Sequence, residues 1–266
     1  MTNEVMNEIL VTHVMELAKA GKRLDGRGLD ELREVKVIPG YVTSADGSAF
    51  VQYGLTKIVC GVKLEPGTPF PDTPNAGVLT TNAEIVPLSS PEYEPGPPSP
   101  QAIELSRVVD RAIRAAEVID LEKLCVTPSE KCWTCFVDIH VLDDCGNLID
   151  AALLAAVAAL KNAKLPSERF GLGETAPLHI AHTPIEVTFV RLGDALIVDP
   201  TSEEEATCQG RLTIATDERG HICAMQKGRV GAFSPQDVLS LAERAEAHGN
   251  TLRAKLHQHG HAHTEA

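Results

Sequence analysis

Apolar positions along this chain keep two rhythms, and the switches between them outline the elements. Residues 3–20 place Met6, Leu10, Val14 and Leu17 three or four apart, the spacing of one helical face, closed by Gly21. A charged loop, Arg23 to Gly28, follows. The period then shortens, and Val35–Ile38, Tyr41–Thr43, Ser48–Tyr53 and Thr56–Leu64 read as strands. Ala45-Asp46-Gly47 reads as a tight hairpin turn in which Gly47 supplies a positive φ. Two proline-rich stretches, Glu65–Ala76 and Ser89–Pro100, cannot run through the middle of a sheet and read as loops around a strand over 77–88. A helix is expected over 101–119, a strand over 134–142, a turn over Asp143–Asn147 and a helix from Asp150 to Ala163. That last helix has hardly a polar residue before Lys161, so it belongs between layers. Beyond a connection over 164–177, strands are expected near 184–191, 195–198, 211–216 and 221–226, with a final helix over 235–257.

Strands followed by helices, twice over, predict an α+β fold of two related blocks. The expected division is a leading helix over 1–22, a first block over 23–163, a second over 164–257, and a His-rich tail over 258–266 expected to be disordered. With 43% hydrophobic residues, a chain of 266 can fill a core of that size. Its 37 acids against 24 bases give a net charge of -13, which excludes nucleic-acid binding by overall charge. Any such contact must come from a local basic stripe or from a basic partner. Seven scattered cysteines imply reduced thiols rather than a disulfide framework. Glu4, Glu8 and Glu16 argue against a signal peptide, and no apolar run reaches membrane-spanning length, so a cytoplasmic protein away from the membrane is expected.

Candidate chemistry lies in a few places. Asp199-Pro200-Thr201-Ser202-Glu203-Glu204-Glu205 leaves the apolar run Ala195–Val198, and carboxylates at a strand end suit a hard divalent cation. Arg211 stands where a further carboxylate would complete such a site and would repel the ion; three consecutive acids also make an ordinary solvated turn. Arg107, Arg111 and Arg114 form one helical stripe opposite the apolar stripe Leu105, Val109, Ala112 and Ala116. They suit contacts to successive phosphates, or they pair with Glu104, Asp110 and Glu117. Cys132 and Cys135 have the spacing of a zinc or redox pair, but strand alternation aims the two sulfurs to opposite faces. His257, His259, His261 and His263 alternate in the tail, where a frayed end is the simpler reading. Neither set predicts a metal or other cofactor.

The segments Arg23-Leu24-Asp25-Gly26-Arg27, Gly47-Ser48-Ala49-Phe50-Val51 and Gly54-Leu55-Thr56-Lys57-Ile58 are followed in order by Pro69-Phe70-Pro71-Asp72-Thr73-Pro74-Asn75, Pro95-Gly96-Pro97-Pro98, Arg107-Val108-Val109-Asp110-Arg111 and the run Asp199–Glu205. Together they resemble the RNase PH family of phosphorolytic 3′ to 5′ exoribonucleases over almost the whole chain, and within it the non-catalytic ring subunits of the archaeal exosome. The resemblance implies an RNase PH-type fold and a catalytic RNase PH-type paralogue as partner, three such heterodimers closing a six-membered ring. It also implies RNA-binding cap proteins and single-stranded RNA threading the pore. Family chemistry attacks the terminal phosphodiester with inorganic phosphate, which needs a cationic cradle and acids. By the resemblance, Ile149 stands where a phosphate-binding arginine would sit, and Glu205 and Arg211 take the places of two aspartates, so no catalytic residue is expected. The resemblance turns the stripe Arg107, Arg111 and Arg114 towards RNA backbone. The rival is an active phosphate-dependent exonuclease that uses Glu203 to Glu205.

Overall fold

The computed structural model describes residues 2–258. The chain opens with α1 (Thr2–Lys19), β1 (Val35–Pro39), β2 (Gly47–Tyr53), β3 (Thr56–Gly67) and β4 (Val78–Ile85), then α2 (Pro100–Ala115), β5 (Cys125–Thr127), β6 (Lys131–Asp143) and α3 (Leu148–Asn162). A short ladder of β7 (Lys164–Leu165) with β8 (Ala176–Pro177) leads to β9 (Ile185–Leu192), β10 (Ala195–Val198), α4 (Ser202–Thr207), β11 (Gly210–Thr216), β12 (Ile222–Gly228) and α5 (Pro235–Gln258).

The first sheet runs β1-β2-β3-β6-β4, with β5 added to β6. All its pairs are antiparallel except β4 with β6, and α2 supplies the crossover that a parallel pair requires. The second sheet, β10-β9-β11-β12, is antiparallel throughout. Alternation along β3 buries Ile58, Cys60, Val62 and Leu64 and leaves their neighbours at or near the surface. Helix α3 is buried at every position from Ile149 to Leu160 and packs on β2, β3 and β9, so it lies between the sheets. One apolar core therefore runs through both blocks, and a smaller cluster seats Val14 and Ala18 of α1 on Val190, Leu192 and Ile197. Among the described residues, no helix is long and apolar enough to cross a membrane.

Several local expectations are corrected. Residues 41–43 form no strand, because the β1–β2 ladder ends at Pro39 with Ala49; Val42 instead exchanges two hydrogen bonds with the Ser48 hydroxyl, at 2.8 and 3.0 Å. The positive φ in that loop belongs to Gly40, at 71°. Gly47 lies inside β2, where an added Cβ would come within 2.5 Å of Ala163 Cβ and 2.6 Å of the Ala159 carbonyl. Its role is close packing of strand on helix. Strand β3 continues through Pro66 because β2 has ended by then, at Gly47 opposite Val62, and the missing N–H faces a thinner sheet. Helix α2 starts as read, with Ser99 accepting from the Ala102 N–H and Pro100 in the first turn. It stops four residues earlier than the expected 119, as Glu117 takes φ 52° and Ile119 bridges to Ile180. The tail histidines His259, His261 and His263 lie outside the described residues.

Candidate functional site

Where β10 ends, Asp199 is fully buried at φ 49°, a left-handed conformation that aspartate tolerates better than most residues. Its carboxylate accepts from Arg27 Nη1 at 2.8 Å, Arg33 Nη2 at 2.7 Å and Asn147 Nδ2 at 2.8 Å. Arg23 grips Glu204 with two bonds, Nε to Oε1 at 2.8 Å and Nη2 to Oε2 at 2.5 Å, and also donates to the carbonyls of Val198 and Asp199. The acid run is neither a solvated turn nor an open cation site. Residues 202–207 wind into α4, whose start carries a reciprocal capping box between Thr201 and Glu204. Among the described residues, no group of three His, Cys, Asp or Glu side chains is placed to hold a metal ion.

The turn before α3 is pinned from beneath. Gly146 takes φ 87°, and an added Cβ would run into the Ser202 backbone. Its carbonyl accepts from Thr56 Oγ1 at 2.7 Å and from Arg33 Nη2 at 3.1 Å, while Arg33 Nη1 donates to the Cys145 carbonyl. Ile149, one turn on, is 6% exposed and belongs to the core. That position presents no group to an anion.

Glu205 is half-buried on α4. Burial pushes its carboxyl up to about 7, against the pull of Arg211; Asp144 lies near it, and the Asn147 backbone N–H reaches it. Arg211, at the start of β11, does not close an ion pair with Glu205: its Nη2 crosses to Glu104 Oε1 on α2 at 2.5 Å. Its Nε is buried without a partner. Deeper in, Asp150 accepts from Thr188 N–H, Thr188 Oγ1 and Asn147 Nδ2 at 2.8, 2.6 and 2.9 Å.

Arg107, Arg111 and Arg114 all lie at the surface, on one wall of a groove of about 900 Å³ whose other wall is Leu79, Thr80 and Thr81 of β4. The alternatives divide along the helix. Arg114 pairs with Asp110 at 2.7 Å and donates to the Leu79 carbonyl at 2.6 Å. Arg111 donates to Gln226 Oε1 at 2.9 Å and to the Met225 carbonyl at 3.5 Å. Arg107 has no hydrogen bond or ion pair among the described residues. Of the three expected acidic partners only Asp110 takes one of these arginines, since Glu104 is engaged by Arg211 and Glu117 lies past the helix end. Cys132 and Cys135 are both buried on β6, and Cys132 sits opposite Cys125 of β5.

Sequence reading missed the clamp formed by Arg23, Arg27 and Arg33. Periodicity carries no signal for it, because the acceptors lie 166 to 181 positions away. Helix α4 was also not expected, although Thr201-x-x-Glu204 is a capping-box pattern that would have marked its start.

Both halves of the chain match models of one family: 3′ exoribonuclease family, domain 1, over residues 31–166, and domain 2 over residues 182–247. Exosome complex component Rrp42 of Thermoplasma acidophilum is 50% identical over 252 residues, covering 95% of this chain and 96% of that protein. The protein of the same name from Thermococcus kodakarensis is 47% identical over 261 residues, with 95% and 96% covered. A solved Archaeoglobus fulgidus exosome with RNA bound to the active site contains a chain of TM-score 0.92 and 46% identity, covering 94% of this chain and 99% of that one. A second, an archaeal exosome core, gives TM-score 0.89 and 42% identity, with 97% and 100% covered.

Proposed function

The chain belongs to the RNase PH family of 3′ exoribonucleases, across both of the family's domains, and from that premise we propose that it is the subunit of an exosome that binds RNA and leaves the chemistry to a catalytic paralogue. It is a component of an exosome, a 3′ to 5′ RNA-degrading complex; near-full-length likeness to Rrp42 components carries that statement. The non-catalytic reading rests on one observation above all. Each carboxylate of the Asp199–Glu205 run that could serve phosphorolysis is otherwise engaged or isolated: Asp199 and Glu204 by arginines, Glu205 alone beside Arg211, and Glu203 out at the surface. Ile149 in the core offers an attacking phosphate no cation, and Arg23, Arg27 and Arg33 are held by Glu204 and Asp199. The rival reading, an active enzyme built on Glu203 to Glu205, has no pair of converging free acids to draw on.

In the proposed assembly three heterodimers with the paralogue close a ring, cap proteins bind RNA at its mouth, and single-stranded RNA passes α2 on its way to the paralogue's active site. The proposal places this assembly in the cytoplasm. Arg107 and Arg111 meet the RNA backbone, supported by their exposure in the groove between α2 and β4.

The deciding experiment follows phosphate-dependent release of nucleoside diphosphates from an RNA 3′ end, by the pure chain and by the chain mixed with its paralogue. The pure chain is expected to be silent and the mixture active. Glu205→Gln should leave the mixture's rate nearly unchanged, whereas removal of a working acid or base would cost roughly 100-fold or more. Phosphate-dependent shortening by the pure chain, abolished by Glu205→Gln, would overturn the reading.

A further inference from the structure

We infer that Arg211 is a positioning residue for the RNA-contacting helix: a strut from the second sheet that acts through Glu104 and Gln226 to hold α2 with Arg107 and Arg111 facing the groove. The inference rests on the RNA-binding role proposed above for α2.

Four hydrogen bonds join α2 to the second sheet among the described residues, and they form one connected chain. Arg211 Nη2 donates to Glu104 Oε1 at 2.5 Å. The same oxygen accepts from Gln226 Nε2 at 3.2 Å, and Gln226 Oε1 accepts from Arg111 Nη2 at 2.9 Å, with Arg111 Nη1 reaching the Met225 carbonyl at 3.5 Å. The amide of Gln226 satisfies both neighbours in one orientation only, its NH2 to the carboxylate and its oxygen to the guanidinium. Pulling Arg211 out would therefore disturb Arg111 three links away. Glu104, Arg107 and Arg111 lie at i, i+3 and i+7, so they share a face of the helix.

The anchor end is built for reach. Arg211 pairs in register with Gly228 of β12, and a Cβ at Gly228 would stand 3.0 to 3.2 Å from the guanidinium, so the glycine leaves the arginine its passage. Gln226 is two residues from Gly228, on the same face of the strand. The Arg211 side chain is 20% exposed against 37% for Glu104, so the pair sits partly out of water, where attraction is screened less than at an open surface. Glu205 on α4 also attracts Arg211, without an ion pair. The guanidinium thus reaches from β11 to the helix α2, and its planar fork resists bending in a way that a lysine would not.

The test uses the chain assembled with its catalytic paralogue and measures affinity for a single-stranded RNA at several salt concentrations. Arg211→Met and Glu104→Ala should each weaken binding and lower the log-log salt slope by about 0.7, one phosphate contact on a single strand. The double variant should lose no more than either single one, because both cut the same chain of contacts. Glu104→Ala decides most sharply. It removes a negative charge beside the RNA path, so electrostatics alone would tighten binding, while loss of the strut weakens it. Tighter binding by Glu104→Ala, or an unchanged slope in both single variants with the ring intact, overturns the inference. If Arg211→Met fails to assemble, Glu104→Ala still gives the answer. Arg107→Ala with Arg111→Ala is the control: a slope unmoved there defeats the RNA-binding role of α2, and a slope moved there alone defeats only the strut.

Discussion

At Asp150, burial outweighs hydrogen bonding. Three donors reach its two oxygens and favour the anion, yet burial, with Asp199 near, raises the carboxyl to about 7. Burial also raises Glu205 to about 7 and lifts Glu186, which has no hydrogen bond to offset it, well above the usual carboxylate range. These groups hold a proton in the folded state at pH values where the unfolded chain has lost it. The contribution of Asp150 and Glu205 therefore falls as pH rises from the ordinary carboxylate range, near 4, to about 7, and that of Glu186 is lost as pH rises further through its own raised range. Glu218 works the other way: against burial, hydrogen bonds from His182 and Thr183 hold it down to about 2, so its contribution is lost only in more acid solution. Melting temperature should accordingly rise as pH is lowered from 8 to 5, and Asp150→Asn should flatten that rise. A change on the order of 1 kcal/mol corresponds to roughly 2–4 °C for a chain of this length. An Asp150→Asn protein with the wild-type pH profile would show that Asp150 is ionised in the fold.

At the scale of elements, α2 divides its labour along its length. Arg107 is unpaired among the described residues, Arg111 touches only neutral groups, and Arg114 is held by Asp110 and the Leu79 carbonyl. In the assembled complex, Arg107→Ala and Arg111→Ala should each lower the salt slope of RNA binding by about 0.7. Arg114→Ala should lower it less and should instead reduce the melting temperature. Equal slopes for all three variants would mean that the ion pair with Asp110 gives way to RNA. How much of this was legible depended on distance along the chain. Alternation found β3 and β6, and the apolar run Ala151–Ala159 found α3, because burial writes itself into neighbouring residues. The false strand at 41–43 had the right residue types but no neighbour to pair with. The end of α2 turned on the backbone of Glu117, where the sequence offers no glycine or proline. The arginine stripe could be placed on one face, but which member was free could not, since Gln226 lies 115 positions from Arg111 and Glu104 lies 107 from Arg211.

Across the whole molecule, the segment between α1 and β1 is the fastener between the blocks. Arg23 and Glu204 form a pair of 0% and 2% side-chain exposure, reinforced by the carbonyls of Val198 and Asp199. Arg23→Ala leaves the Glu204 charge buried without its partner and should cost about 3–5 kcal/mol, read as a lower urea midpoint with unchanged m. Arg23→Met combined with Glu204→Leu should recover much of that loss, since the stranded charge is gone. If the single and double variants prove equally unstable, packing rather than charge holds the segment.

That fastener also has a direction in time. Arg23 finds Glu204 across 181 positions, and Arg33 finds Asp199 across 166. At about 5–20 residues per second on the ribosome, roughly 10–30 s pass between emergence of the guanidiniums and of their carboxylates. For that interval Arg23 and Arg33 lack the carboxylates they will hold, and Arg27 has only Asp25 of its own loop. The stretch that is translated among the first must then be among the last to lock, and the nascent chain closes like a clasp whose catch is made after the case.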